Sequence, residues 1–379
     1  MSALLERFDS DKPKKILSLD GGGIRGALSL GYLKTMEDIL KAQHPDNPNF
    51  RLSDYFDLIG GTSTGSIIAA SLAIGRTVDE ITQMYMELGS KIFGEKRHWW
   101  NPLETLQWLK ANYSYKAMEE HLRAAFGDIT LGSDKIKTGL CIVAKRADTN
   151  SLWPLINHPR GKFFDTDLGH NKDIPLWQAV RASSAAPTYF APQMIEVLDG
   201  QKAAFVDGGL SMANNPSVTL LMIATLKGFP FHWTMAEDKL LLVSVGTGNS
   251  VFKKFVNEID DATMLTWASQ VPEMLMHDAN WQNRVMLQWL SHSPTADYLD
   301  MEIGSMDGDY ISGKPLLSYL RYNFRVTVED LNSLGFEKVF TDEDVKSIKE
   351  ISNAANKDLL YQIGLKASKV MKAEHFPPY

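Results

Sequence analysis

Cysteine is almost missing from this chain: Cys141 is the one thiol in 379 residues. No internal disulfide can form, and a reducing, cytoplasmic compartment is the expectation. Long apolar runs are missing too, since the longest, around Ile67 to Ile74, falls far short of the ~20 residues a membrane span needs. Met1 to Lys15 is charged and has no apolar signal core, so secretion is not expected. Positive charge is in deficit, with 39 Lys and Arg against 46 Asp and Glu for a net charge of -7. That balance argues against a dedicated binder of duplex DNA or RNA, which carries a basic face. A membrane, if this protein meets one, is met from the water side. There is no internal repeat and no low-complexity linker. What remains is an ordinary globular composition, and the length allows one large α/β domain or two to three smaller ones.

Against that background one stretch stands out, Asp57-Leu58-Ile59-Gly60-Gly61-Thr62-Ser63-Thr64-Gly65. An apolar strand runs into Gly-x-Ser-x-Gly, and small and apolar residues follow. A serine on a sharp strand-to-helix turn has its hydroxyl pushed out above the sheet, and it needs glycines two before and two after. Gly61 and Gly65 fill those places around Ser63. A buried helix over 67–74 then aims its N-terminus at the serine.

Upstream, the strand Ile16 to Leu19 leads into Asp20-Gly21-Gly22-Gly23-Ile24-Arg25-Gly26, and 27–40 has helical spacing. Two readings compete for this glycine loop. Gly21, Gly23 and Gly26 match the dinucleotide fingerprint, but that fingerprint requires a following strand that ends in a ribose-binding acid. Here the following strand ends in the serine turn. The other reading uses the N–H groups of Gly21, Gly22 and Gly23 as an oxyanion hole, with the charge of Arg25 beside it.

Downstream, Thr77 to Glu80 is a capping box that opens a helix to about Phe93. Arg97 to Pro102 is a loop whose basic and aromatic residues fit a lipid interface or, as expected here, a helix junction, and a helix follows over 103–111. Ser114 is expected to cap a helix that ends near Phe126, and Lys137 to Lys145 reads as a buried strand. Pro175 opens a helix over 176–184 whose small residues suggest close packing near the serine turn. A further apolar strand, Ala203 to Val206, ends in a third chemical element, Asp207-Gly208-Gly209. Asn214-Asn215-Pro216 starts a helix to about Leu226, and Lys239 to Val245 is another buried strand. Strand and helix alternate, which predicts a mostly parallel sheet with helices on both faces.

The character changes near Asn249. The segment 261–290 is helical and rich in Met and Trp, a stripe expected to pack into the core. Tyr319 to Val326 alternates like a strand with one wet face. Thr341 caps a helix, and another runs over 357–372.

None of the histidines sits at a strand end. His158, His170, His232 and His277 read as surface or packing residues, so a Ser–Asp–His triad is not expected. The simpler arrangement is a dyad in which Asp207 takes the Ser63 proton directly. A carboxylate with a pKa near ~3.9 is a weak base, but burial beside the apolar strand would raise it.

In this order, Asp-Gly-Gly-Gly-x-x-Gly (Asp20 to Gly26), Gly-x-Ser-x-Gly (Gly61 to Gly65) and Asp-Gly-Gly (Asp207 to Gly209), the chain resembles the patatin-like phospholipases, over roughly residues 14–250. The segment Ala185-Ala186-Pro187 adds to the likeness. The resemblance implies a three-layer α/β/α sandwich with a mostly parallel central sheet over 14–250. A mainly helical C-terminal extension, 251–379, would pack on that core. It also implies hydrolysis of fatty-acyl esters of membrane glycerophospholipids by Ser63 and Asp207, without metal or cofactor, at the inner face of a membrane. The C-terminal third resembles, more loosely, bacterial patatin-type effectors of anti-phage defence that a cyclic oligonucleotide switches on. An unregulated lysophospholipase is the alternative. A non-catalytic lipid-binding module would have lost Ser63 or Asp207, and a nicotinamide-dependent reductase lacks its ribose-binding acid.

Overall fold

The computed structural model describes residues 2–93, 112–187, 189–250, 256–260 and 263–377. The loop expected at Arg97 to Pro102 and the helix expected over 103–111 lie outside the described residues.

Every second residue of a strand faces the same side of its sheet, and here both sides are apolar. In β1 (Lys14–Leu19), Ile16 belongs to one buried cluster and Leu17 and Leu19 to another. β7 (Leu240–Val245) sends Leu240 and Leu242 one way and Leu241, Val243 and Val245 the other. Strands buried on both faces read as continuous apolar runs, and such strands lie in parallel sheets covered by helices.

The first cluster takes in α1 (Ser2–Asp9) and α7 (Ser217–Thr225). The second takes in α2 (Gly26–Gln43), α3 (Thr64–Ala73), α4 (Val78–Phe93), α5 (Asn112–Phe126), α6 (Leu176–Ser183) and α9 (Lys357–Ala367). The expected three-layer α/β/α sandwich is the fold.

The other strands of the main sheet are β2 (Leu58–Thr62), β3 (Gly139–Arg146), β4 (Ser151–Ile156), β5 (Gln193–Leu198), β6 (Gln201–Asp207), β9 (Ser291–His292) and β10 (Leu317–Tyr322). Their order is β5-β6-β3-β2-β1-β7-β10-β9, with β4 on β3. The run from β3 to β9 is parallel, and β4, β5 and β6 are antiparallel to their neighbours. β10, from the segment beyond 250, thus lies inside the central sheet, beside β7. β8 (Asn249–Ser250) and β11 (Arg325–Val326) pair separately.

Three expectations need correcting. The strand at Tyr319 to Tyr322 has no wet face: Tyr319, Arg321 and Tyr322 are all buried, because the sheet continues past β7 and is covered on both sides. The Met and Trp stripe of α8 (Met264–Leu290) is largely outside the core: Met264 is 87% and Leu275 63% exposed, and Trp267 and Met274 are exposed as well. Its C-terminal turns dock, with Leu287, Asn283 and Gln288 buried. Ser114 does not cap α5, which begins two residues earlier at Asn112. The capping box at Thr77/Glu80 forms as expected, and Thr341 caps its helix as expected, in a box completed by Asp344.

Candidate active site

The serine and the aspartate meet because of a register. β2 and β6 pair with the same edge of β3, and they run in opposite directions. Thr62, the last residue of β2, pairs with Val143, and Asp207, the last of β6, pairs with Ala144. The two strands therefore end against each other. Ser63, one residue beyond β2, donates from Oγ to Asp207 Oδ2 at 2.6 Å.

The turn that carries Ser63 is tight. Ser63 has φ 54° and ψ -125°, a conformation that a non-glycine residue holds only when its surroundings enforce it. Glycine is required on both sides. A Cβ on Gly61 would lie 2.2 Å from the Gly65 carbonyl oxygen, and one on Gly65 2.4 Å from that of Leu19. The serine N–H is held as well. It donates to Ser183 Oγ at 2.9 Å, and that hydroxyl donates to the Val143 carbonyl at 2.5 Å. The small residues at the end of α6 do pack at the serine turn, as expected, and the Ala185 carbonyl accepts from the Asp207 N–H at 3.0 Å.

Asp207 is buried. Its Oδ1 accepts from the Gly209 N–H at 2.7 Å, so Gly208 and Gly209 form a turn that the carboxylate itself caps. Burial pushes its pKa up to about 6, against the pull of the hydrogen bonds from Ser63 and Gly209. A carboxyl that titrates near neutrality is a far better base than a surface aspartate.

The glycine loop lies directly across. A Cβ on Gly21 would stand 3.2 Å from Ser63 Cβ. The three expected oxyanion donors are not equivalent, however. The Gly21 N–H donates to the Asn214 carbonyl at 2.9 Å and so is spent on holding the loop. The N–H groups of Gly22 and Gly23 donate to no partner among the described residues. The loop is fixed from several sides: Thr247 Oγ1 donates to the Gly21 carbonyl, Tyr85 Oη to that of Gly23, and the Ile24 N–H donates to the Ile351 carbonyl. Arg25 makes no ion pair among the described residues, and its Nε is buried without a partner. Burial lowers its pKa, and the carboxylates of Glu273 and Asp20 oppose that.

Asp20 opens this loop, and its carboxylate is gripped by Arg321 of β10, with Nη1 to Oδ1 at 3.0 Å and Nη2 to Oδ2 at 2.6 Å. Burial works against the charge on Arg321, and the Asp20 carboxylate outweighs it, so the Arg321 pKa is raised.

Above the serine lies a small, partly open cavity whose wall includes Ile67, Leu88, Met118, Phe190 and Ile351. Ile67 and Leu88 also line a second, more open cavity between α4 and α5. The site therefore combines a strained serine, a buried carboxylate of raised pKa, two unengaged backbone donors and an apolar pocket. It is built for attack on a carbonyl attached to an apolar chain.

The described histidines stay out of it. His158 is buried, stacked at 4.9 Å on Phe8, and burial pulls its pKa down to about 4. His277 lies on an exposed face of α8. The dinucleotide reading of the glycine loop finds no ribose-binding acid, because β2 ends at Thr62 and Ser63. Among the described residues there is no cluster of three metal-ligating side chains, and no helix is long and apolar enough to cross a membrane. Sequence reasoning missed Ser183, Asn214, Thr247, Tyr85, Arg321 and Ile351. Only Asn214 and Ser183 carried a signal, as polar residues beside motifs already singled out.

A family model described as patatin-like phospholipase matches residues 17–221, more than half of the chain. A cGAMP-activated phospholipase of Escherichia coli (strain TW11681) is 32% identical over 247 residues, covering 62% of this chain and 63% of the relative. A cGAMP-activated phospholipase of Vibrio cholerae is 35% identical over 216 residues, covering 54% and 55%. A cUMP-AMP-activated phospholipase of Escherichia coli is 31% identical over 254 residues, covering 65% and 68%. The chain thus spans less than two thirds of the first two relatives. With the matched region containing the glycine loop, Ser63 and Asp207, the chain belongs to the patatin-like phospholipase family.

Proposed function

We propose that this protein is a serine acyl hydrolase that cleaves fatty-acyl esters of glycerophospholipids. The observation that carries the reading is the 2.6 Å hydrogen bond from Ser63 to a buried Asp207 at the mouth of an apolar pocket.

Asp207 takes the Ser63 proton as Oγ attacks the ester carbonyl carbon. The oxygen that becomes negative faces the free N–H groups of Gly22 and Gly23, and Arg25 supplies positive charge nearby. The tetrahedral species collapses, the C–O bond to the lysolipid breaks, and the departing alkoxide takes the proton from Asp207. An acyl-serine remains, its chain in the apolar pocket. A water then gives its proton to Asp207 and attacks the acyl carbon. The fatty acid leaves, and the Asp207 proton returns to Ser63.

The finer reading is a latent enzyme, active in the cytoplasm at the inner face of a membrane and switched on by a cyclic oligonucleotide in antiviral defence. Its support is that the relatives above are named for activation by cGAMP and cUMP-AMP. A physical motive adds to it, since a free lipase endangers its own membrane.

The test is fatty-acid release from phospholipid vesicles by wild type and by Ser63→Ala, with and without cyclic di- and trinucleotides. Release only with one nucleotide, abolished in Ser63→Ala, is the expected result. Release without any nucleotide leaves the hydrolase and removes the switch. Release that survives Ser63→Ala contradicts the mechanism.

A further inference from the structure

Three neighbouring strands place polar side chains where a core would be apolar. In the parallel register Ser18 of β1 stands beside Ser244 of β7, and Ser244 beside Arg321 of β10. All three are buried, on the face that otherwise carries Ile16, Leu240, Leu242, Leu317 and Tyr319. Arg321 Nη1 donates to Ser244 Oγ at 2.6 Å as well as to Asp20. Ser217, at the start of α7, joins Ser18 and Ser244 through its hydroxyl at 2.9 and 2.8 Å. The same hydroxyl donates to Asn215 Oδ1 at 2.5 Å.

This network touches both loops that frame the serine. Through Asp20 it reaches the glycine loop, and through Ser217 and Asn215 it reaches the loop that follows Asp207. The two loops also meet directly, at the bond from Gly21 N–H to the Asn214 carbonyl. Arg321 itself lies beyond residue 221, where the family match ends.

Stability alone gives no reason for charge here. A buried ion pair loses hydration on both partners, and a well-packed apolar pair in its place is often at least as stable. What a bidentate guanidinium–carboxylate fork adds is direction, because two parallel N–H···O bonds fix the plane of the carboxylate. Asp20 is the residue immediately before Gly21-Gly22-Gly23, so fixing Asp20 fixes where that peptide run begins.

We propose that Arg321 is a positioning residue of the oxyanion loop: it grips Asp20 so that the Gly22 and Gly23 N–H groups stay aimed at the space above Ser63. The proposal rests on the acyl-hydrolase reading for its kinetic consequence, but the order of the loop is measurable without it.

Two variants separate position from folding. Arg321→Lys keeps the charge and loses the fork. Asp20→Asn combined with Arg321→Met removes both charges and leaves no buried ion unpaired. On a short-chain aryl ester, both are expected to lower kcat by about a hundredfold, the scale of a misplaced catalytic group, with KM within about twofold. The pH midpoint of kcat/KM stays at the wild-type value, since Asp207 is untouched. Hydrogen exchange of the peptide covering 20–26 speeds up by at least about tenfold, while that of β1 and β7 does not. The proposal is overturned if either variant, folded by its melting curve, keeps wild-type kcat and wild-type exchange over 20–26. It is equally overturned if the melting temperature falls while kcat per folded molecule and loop exchange stay put, which is the mark of a merely structural residue. If the wild type cleaves no ester, the acyl-hydrolase reading fails, and exchange over 20–26 in the two variants still decides for or against the clamp.

Discussion

The strand ends of the first 210 residues and the segment after 316 contribute to the site in different ways. The first region carries the groups proposed to face substrate: the N–H of Gly22 and Gly23, unpartnered among the described residues, with Ser63 Oγ and Asp207. Each sits in a short run of sequence that makes its own turn. Among the described residues the second region adds one apolar wall to the pocket, Ile351, and it touches the glycine loop twice, through Arg321 on Asp20 and through the Ile351 carbonyl on the Ile24 N–H. It also packs backbone to backbone on α2, since a Cβ on Gly364 would lie 2.1 Å from the Leu28 carbonyl oxygen. Chemistry here is local in sequence, and the holding of that chemistry is not.

Ways to break this contrast begin with Ser63. Ser63→Ala is expected to cut ester hydrolysis by at least about ten-thousandfold, the scale seen when a nucleophile is removed, with the melting temperature unchanged within a few degrees. Asp207→Asn should lose activity comparably but behave differently in stability. Because the folded state holds the Asp207 proton more tightly than the unfolded chain, folding is favoured at low pH and loses ground as pH rises from 3.8 to about 6. Removing that titration should stabilise Asp207→Asn at pH 7 by up to about 3 kcal/mol, read as a higher denaturation midpoint. In the wild type the working form is the carboxylate, so kcat/KM should rise with pH through about 6 and level off above it.

At the backbone contact of the second region, away from the Arg321 clamp, the signs should reverse. Gly364→Ala presses a methyl against backbone that cannot move aside, so it should cost about 1–3 kcal/mol of stability while kcat below the melting transition stays near wild type. Smallest of all is a change in preference. Leu88→Trp adds bulk to the wall shared by the two cavities, and it should lower hydrolysis of long-chain relative to short-chain esters by about tenfold.

The contrast also explains what was legible in the sequence. Ser63 between Gly61 and Gly65, the glycine loop after β1, and Asp207 before Gly208 and Gly209 were all readable, because a strand end and its glycines lie within a few residues of each other. The layered fold was readable too, from buried strands that alternate with helices. The antiparallel run of β6, which makes Ser63 and Asp207 meet, was missed. A signal was present only for its pairing with β5: Asp199-Gly200 links Leu198 to Gln201, with Gly200 at φ 72°, the residue pair that closes a two-residue hairpin. Arg321 was not readable. A charge in an alternating strand looks the same whether it faces water or a partner, and its partner Asp20 is 301 residues away. The Met and Trp stripe of α8 misled for a related reason: apolar periodicity marks a face but not what covers it.

In the proposed mechanism Asp207 takes the Ser63 proton for attack. The most direct measurement is the rate at which an alkyl fluorophosphonate modifies the protein as a function of pH, with the modified residue found by peptide mass spectrometry. In that reaction Ser63 Oγ bonds to phosphorus, fluoride leaves and Asp207 receives the proton. The expected result is an adduct on Ser63 alone, formed faster as pH rises through about 6 and absent in Asp207→Asn. An adduct on another residue, or a Ser63 rate that stays flat between about pH 5 and 7 and survives Asp207→Asn, would contradict it.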